Sequence, residues 1–361
     1  MAAEWRKALR ALALTALAVV WVGCAPEHYP QSIFGPVTDF GVRINSLFTG
    51  IFWWTMLVLV IVESALIYIL IRYRNRPGAE PRKVYGNNLA EIGWTVGPTL
   101  IVVFILVPTI RTIFYTYEPP ESEPLVVEAV GHQWWWEFRY PELGVTTANE
   151  LHLPVGRPIE VRLSSVDVIH NFWVPRLGGK RYNIPEPARA PDEPEGRNYN
   201  VLYFTVEEPG EYLGQCAEFC GTSHALMRMR VVAQSAEDFQ AWVGAMTDTT
   251  RAVPGAVATA ATAAPDTQSL EARGYQVFLR TGCTACHSIT GTPAAGQLGP
   301  NLTRIGSRWA IGAGLLENNE ENLARWIRNA SALKPAAKMP PFPNLSDEDL
   351  QALVAYLSSL K

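Results

Sequence analysis

Between Gly214 and Met227 the chain reads Gly-Gln-Cys-Ala-Glu-Phe-Cys-Gly-Thr-Ser-His-Ala-Leu-Met, gathering two thiols, an imidazole and a thioether into one short stretch. Cys216 and Cys220 stand four apart, His224 four further on and Met227 three beyond that. Soft thiolate and thioether donors mixed with imidazole favour copper over hard cations. Two thiolates on one turn can each bridge a pair of metal ions, whereas a mononuclear blue-copper site needs one. His170, far upstream in Val-Ile-His-Asn-Phe-Trp, can add a second imidazole once strands bring it alongside. A Cys-x3-Cys pair alone reads more readily as a disulfide or half of a zinc site. With His224 and Met227 at these offsets, the loop reads as a dinuclear copper centre.

A second stretch carries different chemistry. Cys283-Thr284-Ala285-Cys286-His287 is the attachment pattern of a c-type haem, in which the thiols form thioethers with the porphyrin vinyls and the histidine lies under the iron. The same pattern occurs in zinc proteins, but no second ligand pair follows it here. Beyond residue 250 there is no other histidine, and the only methionine is Met339, in Lys338-Met339-Pro340-Pro341-Phe342. Met339 is therefore the sixth-ligand candidate, with lysine the uncommon alternative. His/Met ligation raises a haem's potential, which suits a haem that passes electrons onward.

The copper-type loop resembles the purple copper (CuA) loop of cytochrome c oxidase subunit II. Gly131-His132-Gln133-Trp134-Trp135-Trp136 resembles that family's aromatic segment, and His170-Asn171-Phe172-Trp173-Val174-Pro175 its first-histidine segment. The resemblance implies that Cys216 and Cys220 bridge the coppers, that His170 and His224 cap one each, and that Met227 and the Glu218 carbonyl are weak ligands. It also implies a magnesium ion at the Glu218 side chain, shared with the catalytic subunit, and electron transfer through Trp134 and its neighbour Trp135, where many relatives have tyrosine. Leu298-Gly299-Pro300-Asn301-Leu302 resembles the proline segment of class I cytochromes c, whose proline carbonyl accepts the proximal histidine's N–H.

The elements that must position these groups fall into distinct parts. Residues 1–23 have a basic start, an apolar run and then Val22-Gly23-Cys24, the layout of a secretion signal. Cys24 resembles a lipoprotein cleavage and lipidation site, although Trp21 departs from the usual leucine. The other reading is an uncleaved anchor. Two apolar runs, at about 49–71 and 92–115, each reach the roughly 20 residues needed to cross a membrane as a helix. Arg72, Arg74, Arg76, Arg82 and Lys83 lie between them, so the positive-inside rule makes that loop cytoplasmic and both flanks external. The membrane part is set at 46–117. Glu63 falls mid-helix and reads as a packing residue. Glu91, at the start of the second helix, either caps it or, as the resemblance implies, marks the mouth of a proton channel in the catalytic subunit.

From 118 to 246 short strands alternate with turns. Ile159, Val161 and Leu163 alternate with Glu160 and Arg162, the period of a half-buried strand, and Pro209-Gly210 marks a turn before the copper loop. Many short strands indicate a sandwich or barrel, which the resemblance narrows to a cupredoxin Greek key. In one strand the consecutive tryptophans would face core and outside in turn. Residues 185–198 read as an exposed insertion without an assigned role. Residues 247–267, rich in alanine, threonine and proline, read as a flexible linker. The remainder, 268–361, reads as an all-α class I cytochrome c domain. Its first helix includes Arg273–Arg280, and a last helix is capped at Ser346 with Leu350, Leu353, Val354 and Leu357 on one face.

The whole reads as subunit II of a cytochrome c oxidase with a fused cytochrome c, in a bacterial plasma membrane with both redox domains on the outer face. The resemblance implies partnership with catalytic subunit I and with subunit III, a cytochrome c or quinol-oxidising complex as donor, and oxygen reduction coupled to proton pumping. This chain lacks the histidine cluster of an oxygen site. A net charge of −4 gives no sign of nucleic-acid binding. The rivals are the electron-input subunit of a nitric oxide reductase and a membrane-tethered copper-handling protein, for which a covalent haem has no use. Quinol-oxidising relatives lack the copper ligands kept here.

Overall fold

The computed structural model describes residues 14–15, 29–74, 78, 85–185, 199–250, 252–254 and 269–361. The signal segment apart from residues 14–15, Cys24, the basic residues Arg76, Arg82 and Lys83, residues 186–198 of the insertion and 255–268 of the linker lie outside these.

Among the described residues, two helices, α1 (Asp39–Arg72) and α2 (Asn88–Tyr115), are long and apolar enough to cross a membrane. They meet through Trp54 and Phe104, whose rings stack at 5.7 Å. Glu63 is exposed on α1. Helix α1 begins at Asp39, earlier than the expected 46, because polar groups and not apolar ones start it. The Thr38 hydroxyl accepts from Gly41 N at 2.9 Å, satisfying an orphan N–H of the first turn. The same hydroxyl donates to Leu177 O at 2.6 Å, and the Asp39 carboxylate accepts from Thr205 N at 2.7 Å. At α2 the cap is Asn87, whose side chain accepts from Leu89 N and Ala90 N. Glu91 returns a bond by accepting from Asn87 N at 3.3 Å.

The described residues of the next domain form ten strands: β1 (Leu125–His132), β2 (Trp135–Tyr140), β3 (Val145–Ala148), β4 (Glu150–Pro154), β5 (Pro158–Ser165), β6 (His170–Trp173), β7 (Arg181–Pro185), β8 (Asn200–Thr205), β9 (Gly210–Cys216) and β10 (Arg228–Gln234). They pair in the order β3-β2-β1-β5-β7-β6-β9-β10-β4, with β8 on β5. Strand β7 pairs with both β5 and β6 and so joins the two halves of a barrel-like cupredoxin. Its core follows the period of two: Ile159, Val161 and Leu163 are fully buried while Glu160 and Arg162 are half-buried. Trp136, Phe138 and Phe172 fill the centre. The tryptophans do not share one strand. Trp134 occupies the turn between β1 and β2, which releases it from the strand's alternation. Helix α3 (Ala236–Thr247) closes the barrel, with Trp242 stacked on His152 at 4.3 Å.

The C-terminal domain is helical: α4 (Leu270–Arg280), α5 (Glu320–Leu333) and α6 (Asp347–Ser359), with a small ladder of β11 (Ala310–Ile311) and β12 (Leu316–Glu317). Leu350, Leu353, Val354 and Leu357 are buried, as their spacing predicts, and Ser346 accepts from Asp349 N at 3.1 Å. The described start of the expected linker is packed: Thr247 ends α3, and Ala252 is buried with its carbonyl accepting from the Tyr356 hydroxyl at 2.8 Å.

Candidate functional site

Strand β9 ends at Cys216, and the chain loops through a short 3-10 turn at His224–Leu226 before β10 returns beside β9. This hairpin folds the sulfur-rich stretch back on itself. The Sγ atoms of Cys216 and Cys220 lie 3.8 Å apart as free thiols. Cys220 Sγ is 3.6 Å from His224 Nδ1 and 3.9 Å from Met227 Sδ. Cys216 Sγ is 3.2 Å from the Glu218 carbonyl oxygen. Strand β6 pairs with β9 and brings His170 Nδ1 to 3.8 Å from Cys216 Sγ. All six expected donors therefore converge, and sulfur and imidazole nitrogen dominate the set, as a copper pair requires.

The pair shares a proton unequally. A hydrogen bond from Cys220 draws the Cys216 thiol down to about 3, with burial opposing, while the same bond and burial push Cys220 up. His170 is oriented from behind by Asp167, whose carboxylate accepts from its Nε2 at 2.9 Å and leaves Nδ1 facing the sulfur. Burial works against protonating His170, yet Asp167 and Cys216 raise its pKa. Asp167 also accepts from Gln133 N at 2.8 Å.

Gly131 makes the approach of this ring possible, since a Cβ there would stand 2.5 Å from His170 Cδ2. Gly131→Ala is expected to destabilise the domain by about 2 kcal/mol, because the buried ring has no free space to move into. Thermal unfolding reads this directly, and an unchanged midpoint would mean the ring has room.

Trp134 and Trp135 part company. The Trp134 indole N–H donates to Cys220 O at 3.1 Å, beside Gln133 Nε2 at 2.7 Å, and its ring packs against Gly221. Trp135 instead stacks on His132 at 4.0 Å. Sequence reasoning gives Asp167, Gln133 and Gly131 no role of their own. Gly131 and Gln133 lie inside the aromatic segment, and Asp167 stands three residues before His170.

In the helical domain Cys283–Ala285 forms a 3-10 turn, and His287 follows it. His287 Nδ1 donates to Pro300 O at 2.8 Å, which leaves Nε2 with its lone pair. Gly299 lies against the ring, where a Cβ would come within 2.7 Å. Burial lowers the His287 pKa, the Pro300 carbonyl opposing. His287, Cys283 and Met339 stand on the wall of one apolar cavity, with Phe278, Leu302 and Leu353 among its other lining residues; Cys286 is not on that wall. A thiol, an oriented imidazole and a thioether around an apolar space fit a haem.

The two domains touch beside the copper loop. Lys334, just past α5, is buried and donates to Trp134 O at 2.6 Å, Leu226 O at 2.8 Å and Gly312 O at 2.9 Å. Burial pushes its pKa down to about 7, whereas three carbonyl acceptors need all three ammonium protons. Nearby, the buried Glu150 carboxylate of β4 accepts from Trp309 N at 2.8 Å, and the Arg230 guanidinium lies 5.4 Å from the Trp309 ring centroid.

Comparison with known proteins matches this arrangement part by part. Residues 40–112 match the family model "Cytochrome C oxidase subunit II, transmembrane domain", residues 144–236 the model for the periplasmic domain of that subunit, and residues 271–361 the model "Cytochrome c". Cytochrome c oxidase subunit 2 of Alkalihalophilus pseudofirmus is 36% identical, over 99% of this chain and 98% of its own. The subunit of that name from Bacillus subtilis is 32% identical, over 81% of this chain and 82% of its own. Quinol oxidase subunit 2 of Bacillus spizizenii is 33% identical but covers 66% of this chain and 72% of its own. With the likeness extending from the membrane helices through the copper-type loop to the helical C-terminal domain, the chain belongs to the cytochrome c oxidase subunit 2 family, as a member that carries its own cytochrome c domain.

Proposed function

We propose that this membrane-anchored oxidase subunit holds a dinuclear copper centre through Cys216, Cys220, His170, His224, Met227 and the Glu218 carbonyl, and a covalent haem c through Cys283, Cys286, His287 and Met339. When bound, these groups supply one-electron transfer from an external donor toward catalytic subunit I, where oxygen is reduced to water and protons are pumped. The observation that carries the reading is the convergence of six donors, five from one loop and His170 from β6, in a chain that also builds an apolar haem cavity. Asp167 and the Pro300 carbonyl orient His170 and His287 so that one ring nitrogen of each stays available. Trp134, bonded to the Cys220 carbonyl, is the side chain best placed for electron passage; Trp135, stacked on His132, has the weaker claim.

The finer roles rest on the family resemblance. The Glu218 side chain binds magnesium at the face shared with subunit I, and subunit III completes the complex. The basic loop after α1 lies on the cytoplasmic side, with both redox domains outside and Cys24 lipidated. Glu91 both caps α2 and marks the mouth of a proton channel.

The test is to purify the intact complex and read its haem types and its turnover of oxygen and of nitric oxide. Rapid oxygen consumption with reoxidation of the haem c is expected, and Glu91→Gln should slow it while leaving haem and copper content intact. Nitric oxide reduction without oxygen turnover would move the chain to a nitric oxide reductase. Normal turnover in the Gln variant would leave Glu91 its capping role alone.

A further inference from the structure

Lysine is among the residues least often fully buried unless paired. Lys334 is 3% exposed and has no carboxylate against it among its hydrogen-bond partners in the described structure. Its three acceptors come from three places: the aromatic turn at Trp134, the copper loop at Leu226, between His224 and Met227, and the haem domain itself at Gly312. An ammonium has three donors and no acceptor, so this cage uses it completely.

The haem domain is shaped to meet it. Gly312, Ala313 and Gly314 all take left-handed backbone angles, with φ of +64, +63 and +76. That conformation is routine for glycine but costly for Ala313, and such strain persists only where surroundings enforce it. It turns the Gly312 carbonyl to Lys334 and the Ala313 carbonyl to Arg228 N, at 3.2 Å. Ser223, also in the copper loop, donates its hydroxyl to Pro335 O at 2.5 Å. The buried Glu150–Trp309 contact secures the other end of the seam.

We infer that Lys334 is a positioning residue, a latch whose ammonium fixes the haem domain on the copper loop so that transfer between them runs from one docked arrangement. This rests on the relay proposed above. A tethered domain that searched for its partner would need no strained turn and no buried ammonium. The latch therefore makes the length of the 255–268 segment unimportant to the relay. Without it, the relay depends on effective concentration, which falls as a linker lengthens.

The experiment uses the full chain in its complex, as the native protein and as Lys334→Met and Lys334→Gln, each with and without about ten Gly/Ser residues inserted after residue 260. Hydrogen exchange is read over residues 224–230 and 310–316. The relay is read as reoxidation of rapidly reduced haem. The latch predicts a native relay indifferent to the insertion. In Lys334→Met, exchange in both segments should rise at least about tenfold, and the relay should become slower and length-dependent. Lys334→Gln, which keeps two donors, should fall between, and it carries the test if the Met variant loses its haem spectrum. Unchanged exchange together with a length-independent relay in the variants would overturn the latch, as would a length-dependent relay in the native chain. Exchange that rises in Lys334→Met while the native complex shows no haem-to-copper transfer would uphold the latch and sink the relay reading instead.

Discussion

Cys216→Ser is expected to abolish the shared-electron signal of the metal pair and to slow delivery of electrons to the catalytic subunit by about three orders of magnitude. The two sulfurs lie 3.8 Å apart, close enough that both thiolates would serve one bound metal pair. Serine offers a hard hydroxyl that is not ionised near neutral pH. The remaining Cys220 then has no thiolate partner and keeps the His224 imidazole and the Met227 thioether beside it. Met227→Leu should behave differently, retaining the pair while shifting its potential, because a weak thioether ligand mainly tunes the site. Electron paramagnetic resonance and copper content per chain check both variants, with stopped-flow reduction for the rate. A paired-copper signal that survives Cys216→Ser would contradict the bridging role.

The second large effect is structural. Helices α4 and α6 cross where Gly274 meets Ala352, and a Cβ on Gly274 would stand 1.9 Å from the Ala352 carbonyl oxygen and 2.7 Å from Tyr356 Cβ. A backbone oxygen cannot rotate aside as a side chain can, so the crossing itself must open. Gly274→Ala should cost the haem domain about 3 kcal/mol or more. For a domain of this size that is a fall of about 12–24 °C in its unfolding midpoint. Calorimetry of the haem-loaded protein would show the transition of the helical domain moving down while that of the copper domain stays. Coincident, unshifted transitions would mean that the crossing is looser than drawn.

The parts legible in the sequence are those whose chemistry is compressed into a short stretch. The loop from Cys216 to Met227 and the Cys283–His287 pattern show their candidate donors by spacing, because the chain needs only one turn to gather them. His170 could be offered as a second imidazole but not placed against the loop, since the pairing of β6 with β9 spans more than forty residues. The glycine at 131 and the acid at 167 take their meaning from which ring lies against them, and no period announces that. Lys334 is the extreme case. Nothing beside it in the sequence marks it, and its partner Trp134 lies 200 positions away. Helix α5 is also hard to see, although Leu323, Ile327 and Ala330 recur at helical spacing and are buried. Its many Asn and Arg residues hide the apolar stripe. The start of α1 lies ahead of the apolar run, where hydropathy does not register the polar residues that begin the helix.

That polar start has an engineering consequence. Val37 N donates to Arg176 O and Val37 O accepts from Glu207 N, both at 2.9 Å, while Thr38 and Asp39 reach Leu177 and Thr205. The copper domain thus has no hinge at its foot, and its height and tilt are inherited from a helix about 51 Å long, of which about 30 Å suffices to span the hydrocarbon. The exchangeable unit between relatives is therefore not the strand-rich part by itself. A chimera cut where the apolar run begins would separate the root at 37–41 from its sockets at 176–177 and 205–207, and the grafted domain would sway. A graft that carries root and sockets together would keep its bearing on the membrane.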